Sequence, residues 1–122
     1  MKRISLAVFV GAFVLAPVFS QGMDMGSFPL GSWFDATYDA VWEIKSGSIR
    51  ILSTDGSVFY DFGRVAIQNF KVGAGGDGPF ISFSCEATGK SYKLTKPLTS
   101  SSVILEIDRP SLPHYKVEMS KR

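Results

Sequence analysis

The chain has 122 residues, 45% of them hydrophobic and 13% aromatic, with one cysteine, one histidine and a formal charge of +2. A single cysteine excludes an internal disulfide and any metal site built on several thiolates. So small a charge excess gives no electrostatic reason to expect nucleic acid as a partner.

The opening "MKRISLAVFVGAFVLAPVFSQG" has basic Lys2 and Arg3, an apolar run from Ile4 to Val18, and small residues near its end. This is the layout of a secretory signal peptide over residues 1–20, with Val18 and Ser20 three and one residues before a cleavage point ahead of Gln21. The run falls short of the roughly 20 apolar residues that span a bilayer, and no cysteine follows it for acylation. The expected mature protein is exported, periplasmic or secreted, with no membrane span. Cleavage removes two of the thirteen basic residues and no acidic one, leaving eleven of each and a net charge of zero.

Residues 21–29, rich in Gly and Met and without period, read as a flexible lead, and residues 30–122 as one domain. Within that domain short alternating runs predict strands near 30–36, 40–46, 48–53, 57–63, 65–72, 79–86, 90–96, 102–108 and 114–120. Turn signals separate them, the sharpest being Asp55-Gly56, where glycine accepts the positive φ of a tight hairpin. The fold class is all-β, and the spacing predicts a small antiparallel up-and-down barrel of about eight strands, with a β-sandwich as the alternative. Closure into a barrel removes edges that strands this apolar would offer to other chains.

Residues two apart share a strand face. One face collects Trp42 and Ile44; Ile49 and Ile51; Val58, Tyr60 and Phe62; and, further on, Ile81, Phe83 and Cys85, Tyr92 and Leu94. Val103, Leu105 and Ile107 continue it, as do Tyr115, Val117 and Met119. The other face carries Glu43, Lys45, Arg50, Lys93, Glu106 and Lys116. A barrel of eight strands holds its own side chains or one small ligand, and so many large inward residues predict a core mostly filled by itself. Cys85, in phase with Ile81 and Phe83, reads as a small core residue.

No enzyme chemistry is expected. His114 follows Pro113 at the start of the last strand with no nucleophile motif nearby, and reads as a surface or turn histidine. Asp35 and Asp39 flank a turn, where aspartate bonds local amides. "GAGGDG" lacks a following Lys-Ser/Thr and a helix start, so it reads as a mobile hairpin loop, a contact surface rather than a phosphate cradle. No catalytic residue, metal ligand or cofactor is assigned.

Gly31-Ser32-Trp33, opening the first strand of a meander, resembles the Gly-x-Trp start of lipocalin, fatty-acid-binding and avidin-type barrels. The resemblance implies that Trp33 closes one barrel end against a late basic residue, Arg109 or Arg122. "FSCEATGKSYKL" is similar to a Cys-bearing strand, turn and Tyr strand of the small periplasmic lysozyme inhibitors of the MliC type. That likeness implies partner contacts through Lys90 and Ser91; separately, the exposed Gly73–Pro79 loop offers Asp77 as a further candidate contact. The leading expectation is an exported, non-enzymatic, lipocalin-like (calycin-type) binding domain, monomeric or dimeric. It takes a small apolar ligand or protein partner at the end carrying Trp33, Tyr38 and Trp42. The alternative is a periplasmic inhibitor or interaction module of the lysozyme-inhibitor type.

Overall fold

The computed structural model describes residues 23–122; the expected signal segment and its cleavage point lie outside the described residues. Nine strands follow one another: β1 Gly31–Asp35, β2 Ala40–Lys45, β3 Ser48–Ser53, β4 Val58–Asp61, β5 Ile67–Gly75, β6 Gly78–Cys85, β7 Lys90–Thr95, β8 Val103–Asp108 and β9 Tyr115–Lys121. They form one antiparallel sheet in the order β4-β3-β2-β1-β9-β8-β7-β6-β5, curled into a half-barrel. The all-β class and the antiparallel meander hold as the turn spacing predicts.

The first and last strands are neighbours, with Phe34 opposite Ser120 and Trp33 opposite Lys121. The break in the ladder falls instead between β4 and β5, the two sheet edges. Alternating direction across nine antiparallel strands leaves those two edges running the same way. A hairpin cannot join strands that run the same way, and the chain crosses through a short 3-10 turn at Phe62–Arg64. Asp61 caps that turn by accepting the Gly63 amide at 2.9 Å. Phe62 is fully buried and packs against Trp42, Tyr60, Phe83 and Tyr92, with ring centroids 4.9 to 5.8 Å away. One buried aromatic thus joins the edge strand β4 to a core shared with β2, β6 and β7.

Most of the face assigned inward by alternation is the core: Trp42, Ile44, Ile49, Ile81, Phe83, Cys85, Tyr92, Leu94, Val103, Leu105 and Met119 are all buried. Ile51, Tyr60, Ile107, Tyr115 and Val117 are partly buried against it, and Val58, at 49% exposure, faces away. Leu52 pairs with Val58 but Ile51 with Tyr60, so β4 carries one extra residue between them. A bulge of one residue reverses the facing of everything beyond it, and Val58 turns outward. A second bulge lies in β5, where Gln68 pairs with Ser84 but Lys71 with Ser82. Asn69, with φ of 57°, takes up the extra residue there.

Two expectations are corrected. Residues 23–28, read as part of a flexible lead, place Met23, Met25 and Phe28 in the core, each at most 3% exposed. Their apolar side chains have no alternation because this segment is no strand, yet burying three of them fixes it against the barrel. Gly26 lies against Val72 of β5, and the Met23 methyl approaches Gly63 of the crossing turn. The Gly73–Pro79 stretch is also no loop. Its residues pair as Gly73 with Phe80, Ala74 with Pro79 and Gly75 with Gly78, leaving only Gly76 and Asp77 in the turn. Glycine is required at Gly78, where φ is 125° and a Cβ would press on the Lys96 carbonyl, while a Cβ on Gly73 would push the Phe80 ring aside.

Candidate functional site

The strand directions place the turns Asp35–Ala40, Ser53–Val58, Cys85–Lys90 and Asp108–Tyr115 at one end of the half-barrel. The Lys45–Ser48 and Gly75–Gly78 hairpins and the long loop between β7 and β8 lie at the other. The two ends are built differently.

The second end is sealed around Trp33, which is 1% exposed. Its indole N–H donates to the Ser101 carbonyl at 3.4 Å, Phe28 packs edge-on at 6.2 Å, and the Lys121 ammonium stands 4.7 Å above its ring. A late basic residue therefore does cover Trp33, but it is Lys121. Arg109 lies over Tyr115 instead, at 5.4 Å, and Arg122 over Phe34, at 5.7 Å. On β9 the register sets Lys121 opposite Trp33, which puts its side chain beside the indole. Lys96 fastens the covering loop by donating to the Pro97 carbonyl at 2.8 Å and to the Ser100 carbonyl.

The first end holds a cavity of about 420 Å³ open to solvent. Five aromatic rings line it, Tyr38, Trp42, Phe59, Tyr92 and Tyr115, beside aliphatic Ile51, Leu105 and Ile107. Trp42 is its floor: 2% exposed, it stacks on Phe62 at 5.8 Å and leans on Tyr92 at 5.9 Å. Tyr38 and Phe59 stand at the rim, each 58% exposed. Of the three residues expected at one ligand-binding end, the structure brings Tyr38 and Trp42 together. Trp33, although opposite Trp42 in the ladder, belongs to the sealed end.

Sequence reading missed the polar part of this cavity. Asp35 is 2% exposed, and its carboxylate accepts the Tyr115 hydroxyl at 2.8 and 3.0 Å and the Thr37 amide at 2.9 Å. The amide bond is the local turn contact expected of such an aspartate; the tyrosine comes from the far end of the chain and leaves no local sequence signal. Burial, and the adjacent Asp35 carboxylate, push the Tyr115 hydroxyl up to about 12. Tyr38 packs on Tyr115 at 5.3 Å, and Lys90 and Arg109 supply the cations of the lining. The Arg109 guanidinium donates twice to the Pro113 carbonyl, at 2.8 and 3.0 Å, which holds it at the rim.

The residues grouped as partner contacts are separated. Lys90 lines the cavity, whereas Ser91, the next residue on β7, faces outward and bonds Ser84 across the β6–β7 ladder at 3.1 Å. Asp77 sits in the turn at the opposite end, beside Pro97 and Leu98. On the same outer face His114 is held between Asp108, at 2.6 Å, and Glu106, at 3.3 Å. The Asp108 hydrogen bond raises its pKa above the usual histidine value. Both ring nitrogens face carboxylates, so neither is directed at a serine hydroxyl.

Cys85 is 1% exposed, with the Tyr60 hydroxyl 3.7 Å from its sulfur. Burial, then that contact, pushes Tyr60 up to about 12. Among the described residues no three His, Cys, Asp or Glu side chains converge to hold a metal ion, and no helix is long and apolar enough to cross a membrane. Comparison with family models, with curated proteins and with solved structures finds no match for this chain.

Proposed function

We propose that this protein is an exported, non-enzymatic binding domain of lipocalin-like design that takes one small apolar ligand into the cavity floored by Trp42. The observation that carries this reading is the asymmetry of the two ends. One is packed shut around Trp33, Phe28 and Lys121, while the other keeps an aromatic-walled space of about 420 Å³, within the range of small-molecule sites. The driving force is removal of apolar surface from water at about 25 cal/mol per Å². A ligand burying about 200 Å² of apolar surface gains about 5 kcal/mol by that measure, before the cost of association is subtracted. The inner walls, Trp42 and Tyr92, are held by core contacts, so ordering on binding is confined to the rim residues Tyr38 and Phe59.

The test is a fluorescence titration with the neutral probe N-phenyl-1-naphthylamine on the protein and on Ile107→Trp, which fills the cavity from β8. Saturable one-to-one binding that is lost in Ile107→Trp, with circular dichroism unchanged, is the expected result. Equal binding by both proteins would place the probe elsewhere and remove the reading.

A further inference from the structure

Resting on that cavity, we infer that its ligand is a planar aromatic molecule carrying one negative charge, such as an aryl carboxylate. The lining contains two cations, Lys90 and Arg109, and one carboxylate, Asp35. Asp35 is spent internally: it is 2% exposed and accepts from the Tyr115 hydroxyl and the Thr37 amide. Neither Lys90 nor Arg109 has a carboxylate oxygen within 4.0 Å among the described residues, whereas Arg50, Lys45 and His114 all do. The cavity therefore presents an excess of one positive charge with its only acid already satisfied, and its charge complement is a monoanion.

The body of the ligand follows from the walls. Five rings surround a space floored by an indole, and flat π-systems gain from offset or edge-on packing beyond their area. Arg109 already lies over the Tyr115 ring, and Tyr115 packs on Tyr38. A ring entering beside Tyr38 would thus carry its acidic group toward the guanidinium at the rim. An arginine held by a carbonyl keeps its outward N–H groups oriented for a carboxylate. A cationic ligand would meet Lys90 and Arg109, and would find the lining's one carboxylate 2% exposed and already accepting from Tyr115 and Thr37.

Isothermal titration with 2-naphthoate, 2-naphthylmethanol and 2-naphthylmethylammonium, one ring system with three charges, tests this. Naphthoate is expected to bind at least about tenfold more tightly than the alcohol, with the ammonium weakest, since bonds to charged groups exceed neutral ones by roughly this factor. In Lys90→Gln/Arg109→Gln the advantage of naphthoate over the alcohol should shrink at least about fivefold. Equal affinity for naphthoate and alcohol, or tightest binding of the ammonium, overturns the anion inference while the cavity reading stands. Decanoate binding more tightly than naphthoate overturns the aromatic body. No binding of any naphthyl compound, together with loss of the neutral probe's saturable signal, overturns both.

Discussion

At the scale of single residues, the Asp35–Tyr115 pair joins β1 to β9 through a buried carboxyl group. A carboxyl group 2% exposed has lost its contact with water, and a tyrosine hydroxyl and a backbone amide donate to it in place of solvent. Tyr115→Phe removes the tyrosine donor, and is expected to lower stability by about 2 kcal/mol, read as a shift of the urea midpoint at pH 7. The pH dependence has a definite sign. With the hydroxyl raised to about 12 from an ordinary 10, the folded state holds the proton more tightly than the unfolded chain. That contribution is complete below pH 10 and is lost as pH rises toward 12. Tyr60 behaves alike. Tyr115→Phe should therefore flatten the alkaline decline in stability, and an unchanged slope would show that the pair does not titrate with folding. The turn role of Asp35 was legible in its position; its partner was not, because it lies 80 residues away.

At the scale of elements, alternation located all nine strands and failed where a residue was added to one. On β5, Ile67 before the bulge and Phe70 and Val72 after it all pack on the core, so apolar residues change parity at Asn69 and no single phase fits. The same arithmetic turned Val58 outward on β4. The segment 23–28 escaped for a different reason: pattern methods see periodic structure, and a short plug has none. Its weight is testable through Phe28, which is 2% exposed against Trp33. Phe28→Ala is expected to cost about 3 kcal/mol, as for a buried aromatic elsewhere. A loss under about 0.5 kcal/mol in the denaturant midpoint would make the segment an accessory to the barrel rather than part of it.

At the scale of the whole molecule, composition and turn spacing were enough for the all-β meander because each hairpin is a local event. The cavity was not legible, since its lining is drawn from β1 to β4 and from β7 to β9 together with their turns, and depends on how the sheet curls. Trp33 illustrates the limit. The residue type and its place at the first strand indicated a closed end, but only register selects Lys121 over its neighbours as the cover. The proposed export is a property of the entire chain: intact mass of the protein recovered outside the cytoplasm should correspond to a polypeptide starting at Gln21. A mass retaining residues 1–20 would contradict it.

The pairing of β1 with β9 also sets an order of events. Hairpin contacts form between near neighbours, but this seam joins segments separated by most of the chain, and loop closure makes such contacts late. The Asp35–Tyr115 bond crosses the same seam and also forms a wall of the cavity. A chain that has not yet docked β9 therefore has no complete mouth, and the proposed ligand would recognise only chains in which β9 is in place. By mass action, the proposed ligand would also hold the β1–β9 seam closed, so binding and the docking of β9 would reinforce each other.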